Sequence, residues 1–163
     1  MLSKTMQDAI NEQINKELYS AYLYLSMSAY FESINLPGSA KWMRKQNEEE
    51  QVHAMKFFDY VNNQNGRVAL KPIDQPKVEF DSPVAAWTLV LEHEKKVTGL
   101  INKLYAQAVD EKDYATQSLL KWFIDEQIEE EKNATLMLER FTQAGTNVAT
   151  LLLFDGHFTG RGA

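Results

Sequence analysis

Proline is nearly confined to one part of this chain. Of four prolines, Pro72, Pro76 and Pro83 lie in or at the edge of a single stretch, and Pro37 stands alone before Gly38. Proline removes a backbone donor and clashes with the preceding helical turn, so the long proline-free segments on either side are free to run as helices. Residues of about 5–33 read as a first helix, stopped before Asn35-Leu36-Pro37-Gly38, and about 39–65 as a second, ended by Gly66. Ser82-Pro83 supplies an N-cap and a first-turn proline for a third helix over about 83–109. A fourth covers about 113–143 before Gly145, and Thr146-Asn147 can open a short fifth over about 147–158.

The first break is too short for anything but antiparallel neighbours. The second and third helices are instead separated by 17 residues, 66–82. A helix of about 27 residues is roughly 40 Å long, and about 17 extended residues reach more than 50 Å. The connection can therefore cross the bundle and start the third helix parallel to the second. This predicts an all-α fold in a single domain, 1–163: a four-helix bundle with one long crossover and a short fifth C-terminal helix.

With 163 residues, 44% of them hydrophobic, the chain can bury a sizeable core. It has no run of about 18 apolar residues, and MLSKTMQDAINEQ lacks an apolar stretch ahead of a cleavage site, so neither membrane insertion nor secretion is expected. A net charge of −6 without a basic stripe speaks against nucleic acid. The absence of cysteine excludes disulfides and zinc-thiolate sites and suits a cytoplasmic location.

Steps of three and four residues define one seam per long helix. The first reads Ile10, Ile14, Glu17, Ala21, Tyr24, Ser28, Phe31, and the second Met43, Gln46, Glu50, His53, Phe57, Tyr60. The third reads Trp87, Val90, Glu94, Val97, Ile101, Leu104, Ala108, and the fourth Leu120, Phe123, Gln127, Glu130, Ala134, Met137. Each seam is mainly apolar and each is interrupted near its middle. The interruptions repeat at a spacing of 77, Glu17 with Glu94, Glu50 with Gln127 and His53 with Glu130, although Tyr24 then falls on Ile101 and Trp42 on Leu119. The repeat lies in the chemistry and not in bulk similarity.

Taken singly, a run such as Glu48-Glu49-Glu50 or Glu129-Glu130-Glu131 reads as a solvated helix face, and a lone His53 as a core histidine. Jointly, at matched spacing on four seams, they read as ligands. Unpaired carboxylates in an apolar seam lose several kcal/mol of solvation or take up protons, so several converging ones call for a cation. Glu17, Glu50, Glu94 and Glu130 carry about four negative charges, which two divalent ions would balance, while His53 adds an imidazole and Gln127 an amide oxygen. Mostly oxygen donors with one nitrogen favour iron or manganese over structural zinc.

The stretches NKELYSAYLYLSMS, NEEEQVHA, LEHE and DEQIEEE, in this order and spacing, resemble the non-haem bacterial ferritins over essentially the full chain. Glu plus Glu-x-x-His ligation inside a bundle is an established property of ferritin-like di-iron proteins. The resemblance implies iron storage and detoxification through a ferroxidase centre, at which O2 or H2O2 oxidises Fe2+ and a ferric mineral grows inside a hollow homo-oligomer of 24 subunits. Carried over, one iron would be held by Glu17, Glu50 and His53, and a second by Glu94 and Glu130 with Glu50 bridging and Gln127 nearby. Glu49, Glu126 and Glu129 would form a third, outer iron site. Tyr24, seven residues after Glu17, can hydrogen-bond a ligand, and the resemblance implies that it supplies an electron.

Gln127-x-x-Glu130 stands where a second Glu-x-x-His would complete a twofold di-iron pattern, which argues against bacterioferritin and the di-iron oxygenases. Val52 occupies the place of the usual haem-ligating Met, so no haem is expected. A weaker second site would suit an enzyme that must release its oxidised iron. The alternatives are a di-iron oxidase without mineral storage, a DNA-protecting mini-ferritin and a metal-free helical scaffold. Glu48, Glu131 and Asp125 read as solvated, His93 as a surface residue and Trp122 as a packing residue close to the site. Val148, Leu151, Leu152, Leu153 and Phe154 make the last helix more apolar than a free tail, which points to an interface.

Overall fold

Ser3, Ser82 and Asp113 each turn a side-chain oxygen onto a free N–H of a helix start, at Met6, Ala85 and Thr116, with separations of 2.9, 3.0 and 3.0 Å. These caps open three of the five helices in the computed structural model, which describes residues 2–157: α1 (Lys4–Ser33), α3 (Pro83–Asp110) and α4 (Tyr114–Ala144). The others are α2 (Pro37–Asn63) and α5 (Val148–His157). Phe158, the last residue assigned to the fifth helix by sequence, lies outside the described residues.

α1 ends at Ser33, where the sequence puts it, whereas both ends of α2 differ from the sequence reading. Pro37 is already helical, two residues before the expected start, because its fixed φ suits a first turn that needs no amide donor. At the other end of α2, Asn65 (φ 57) takes the left-handed conformation ahead of Gly66, whose N–H closes onto the Val61 carbonyl at 2.8 Å. Asn35 (φ 60) and the Leu36 N–H to Phe31 carbonyl bond of 2.9 Å repeat the motif at the end of α1.

Residues 66–82 carry no regular structure and run along α1. Asn11 bonds the Arg67 carbonyl and the Ala69 N–H, Asn15 donates to the Lys71 and Pro72 carbonyls, and Ser26 donates to the Lys77 carbonyl. Loop contacts thus advance in step with helix positions 11, 15 and 26, which is how the crossover travels the length of the bundle. α1 packs on α2 and α3 on α4, while α1 also touches α3.

The apolar core is split. One cluster holds Tyr24, Phe31, Trp42, Met43, Trp87 and Phe141 with their neighbours, and the other Ile10, Ile14, Phe57, Ile101, Leu120 and Phe123 with theirs. Trp42 meets Trp87 edge-on at 4.9 Å, and Phe57 stacks on Phe123 at 4.0 Å. Each such side chain, fully buried, stabilises the fold by about 1.5–3 kcal/mol. The four long helices are therefore clamped on either side of their polar middles, and the seam interruptions fall in the layer between the clamps.

Candidate metal centre

The middle layer is polar and almost dry. Glu17, Glu50, His53, Glu94, Gln127 and Glu130 come from all four long helices, and each is at most 4% exposed. One ligand atom from each of Glu17, Glu50 and His53 falls within 4.8 Å of the others, and the same holds for His53, Glu126 and Glu130. The two triads share His53. Its Nδ1 is 3.4 Å from Glu50 Oε2, one helical turn back, and its Nε2 is 3.9 Å from Glu126 Oε1.

Protonation follows from burial. Desolvation pushes the Glu17 carboxyl up to about 7, and the Glu94 charge adds to this against the Gln13 hydrogen bond. Glu50 is held well above the usual carboxylate range by burial first and then by Glu17, Glu94 and Glu130. Glu94 is raised by burial in the same way. His53 is lowered to about 4 by burial and by Lys56, so its ring is neutral at pH 7 and its lone pair is available to a metal. Among the described residues, no other group donates to Glu17 Oε2 or Glu50 Oε2, and only a proton held between the two carboxyls joins them. Buried carboxylate oxygens left without donors are costly, and a divalent cation would satisfy both the oxygens and the charge.

Three of the four carboxylates of the layer have an amide donor. Gln13 donates to Glu17 Oε1 at 2.7 Å, Gln46 to Glu130 Oε2 at 2.9 Å, and Gln127 to Glu94 Oε2 at 3.2 Å. Tyr24 donates its hydroxyl to Glu94 Oε1. Gln127 Nε2 also faces the Glu94 carbonyl and Thr98 Oγ1, both at 3.3 Å, so its amide nitrogen points to Glu94. At Glu17 the Gln13 donor leaves Oε2 for a metal, whereas both oxygens of Glu94 accept hydrogen bonds, from Tyr24 and from Gln127. Sequence reasoning passed over Gln13, which lies off the seam, and gave Gln46 no role. The usable signal was position: Gln13 is one helical turn from Glu17 and Gln46 one from Glu50.

Of the three outer carboxylates, Glu49 and Glu126 are half-buried and Glu129 is exposed. Glu126 is raised by burial and then by the charges of Glu129 and Glu49, so the three feel one another. Trp122 packs edge-on against His53 at 5.4 Å and lies under Lys56 Nζ at 4.1 Å. Two surface assignments need correction. His93 is half-buried, lowered to about 4 by burial, and sits 2.8 Å from Ser20 Oγ, because α1 covers a second stripe of α3 beside the seam. Glu131 is not simply solvated either, for Thr98 donates to it at 2.6 Å.

A carboxylate cap also holds α5. Asp155, 3% exposed, accepts the Gly38 and Ser39 N–H groups at 2.7 Å each and the Ser39 hydroxyl at 2.6 Å. It serves the start of α2, which has no side-chain cap of its own. Leu151 and Phe154 pack on the core while Val148, Leu152 and Leu153 face outward. Among the described residues, no helix is long and apolar enough to cross a membrane.

The family model described as Ferritin-like domain matches residues 7–144. The chain is 37% identical over 161 residues to a bacterial non-heme ferritin of Staphylococcus epidermidis, covering 99% of this chain and 97% of the relative. It is 41% identical over 145 residues to one of Bacteroides fragilis, covering 89% and 91%. Among solved structures, a novel open pore ferritin from the hyperthermophilic archaeon Archaeoglobus fulgidus superimposes with a TM-score of 0.98, at 46% identity and 99% coverage of both chains. A closed form of the same ferritin, engineered by site-directed mutagenesis, superimposes at 0.97 with 47% identity, covering 99% of this chain and 98% of that one.

Proposed function

Because the chain belongs to the ferritin family, we propose that it stores iron by oxidising Fe2+ at the buried layer and passing Fe3+ to a mineral inside a hollow shell of its own copies. Iron is the substrate. Glu17, Glu50 and His53 bind one Fe2+, and Glu94 and Glu130 a second, with Glu50 between them. The observation that carries this reading is the pair of buried carboxyls of Glu17 and Glu50, whose Oε2 atoms no other group serves, beside a neutral His53 with one ligand atom of each within 4.8 Å of the others. Two Fe2+ give one electron each to O2, which takes up two protons and leaves as H2O2. H2O2 serves as oxidant likewise, taking two electrons and two protons to give water.

The layer supports this chemistry through its amides. Gln13, Gln46 and Gln127 hold the carboxylates by neutral hydrogen bonds that need not break when charge changes at the metal. Gln127 acts as a donor to Glu94 and leaves the second site without an imidazole, so Fe3+ is held there less firmly and moves outward past Glu126, Glu49 and Glu129. Protons released on metal binding come from Glu17 and Glu50, whose carboxyls are raised by burial.

A shell of 24 subunits in the cytoplasm completes the proposal. The outward apolar face of α5, with Val148, Leu152 and Leu153 between 52% and 67% exposed, supports burial between copies. Electron microscopy before and after an aerobic Fe2+ load tests the whole reading. Hollow particles that fill with dense cores are expected; monomers or small oligomers that stay empty would remove it.

A further inference from the structure

A cavity of about 540 Å³ lies between α1 and α3, and Gln13 lines it. Its walls include Ala9, Leu100, Leu104 and Ala106. Gln13 is only 3% exposed, and the amide it shows to the cavity is the one that donates to Glu17 at 2.7 Å. One neutral side chain therefore separates this space from the carboxylate layer.

The charge at the cavity mouth decides what it suits. Lys16 and Lys103 stand against Glu12 and Asp110, so the four sum to zero, and Glu12 is further paired with Lys71. Nothing there gathers cations. On the other side of the layer, Glu49, Glu126 and Glu129 oppose only Lys56 in the electrostatics of Glu126, and that acidic approach favours Fe2+. An uncharged, apolar reactant is not steered by charge, and it partitions into apolar space as xenon does. A second cavity of about 330 Å³, between α3 and α4, also reaches an amide that donates to a layer carboxylate, that of Gln127, but the Glu131 carboxylate lines it.

We propose that the α1/α3 cavity admits dioxygen to the layer past Gln13, separately from the acidic approach used by Fe2+. The inference rests on the layer being a ferroxidase centre.

The test measures initial Fe2+ oxidation over a range of O2 concentrations in the assembled protein, with anaerobic Fe2+ binding measured alongside. Ala106→Trp and Ala9→Phe narrow the α1/α3 cavity from its two sides, and Ile128→Trp narrows the α3/α4 cavity as a control. Both α1/α3 variants are expected to raise the apparent KM for O2 by about fivefold or more, with kcat at saturating O2 and anaerobic Fe2+ binding unchanged. An unchanged O2 dependence in both, or an equal rise in Ile128→Trp, overturns the proposal. Crystals pressurised with xenon provide a readout independent of oxidation, with xenon expected beside Leu100 and Leu104. A cavity that takes up none overturns the proposal and leaves the ferroxidase reading intact, whereas a wild-type protein that oxidises no Fe2+ overturns both.

Discussion

Tyr24 on α1 gives its phenolic hydrogen to Glu94 on α3, so one hydrogen bond ties the two helix pairs together at the carboxylate layer. Burial and the charges of Glu94 and Glu50 hold this hydroxyl well above the usual tyrosine range, and it remains a donor. Tyr24→Phe should leave anaerobic Fe2+ binding at two per chain but slow oxidation about tenfold, because Glu94 loses the bond that orients it. Stopped-flow absorbance checks this. A variant as fast as wild type would reduce Tyr24 to a packing residue.

The metal-free protein should lose stability as pH rises from 6.5 to 8. Glu17 is raised by burial from 4.5 to about 7, so the stability present below 4.5 is lost between 4.5 and 7, about 3 kcal/mol in all, of which about 1 kcal/mol or less falls above pH 6.5. Glu50 and Glu94 act with the same sign. His53 and His93, lowered from 6.5 to about 4, act oppositely, but their contribution is complete above 6.5. Thermal melts with a chelator should therefore fall over this range, and saturating divalent metal should abolish the fall. A flat metal-free profile would mean that the carboxylates are not crowded in the dry layer described above.

Asp155→Ala should release α5. Three hydrogen bonds to the start of α2 disappear, and the Gly38 and Ser39 N–H groups are left without a cap. A loss of about 2–3 kcal/mol is expected from a charged acceptor in a buried site. Hydrogen exchange in α5 should rise sharply, and sedimentation should show smaller species. Deleting residues 146–163 should impair assembly as well; an intact shell in both variants would contradict an interface role for α5.

Replacing Glu126 and Glu129 together by alanine should separate binding from onward movement. The layer residues Glu17, Glu50, His53, Glu94 and Glu130 are untouched, so at saturating Fe2+ a first addition should oxidise at the wild-type rate, with only the Fe2+ concentration needed to reach it raised by the loss of the acidic approach. Later additions should slow about fivefold or more as Fe3+ leaves less readily. Repeated-addition stopped flow tests this, and unimpaired later turnovers would remove the outer carboxylates from the path.

The sequence was most legible where one period governed one face. All seven seam positions of α3, from Trp87 to Ala108, are buried, and so are the six of α4 from Leu120 to Met137, because each of these helices presents mainly one stripe to the bundle. α1 was read less completely. It packs against α2, α3 and the crossover at once, so Asn11, Gln13 and Ser20 are buried beside the seam, and the partner of Ser20, His93, is drawn inward with it. Asp155 was out of reach for another reason. Its partners lie 116 and 117 residues earlier, and a helix cap supplied from such a distance leaves no local pattern.

The most direct test of the central claim is stopped-flow oxidation of Fe2+ in air, titrated per chain, for the wild type and for Glu50→Ala and His53→Ala. The account predicts a fast phase that saturates at two Fe2+ per chain and falls by about a hundredfold in either variant, as expected when the carboxylate between the two metals or the imidazole of the first site is removed. Rates that do not change in Glu50→Ala and His53→Ala would contradict it.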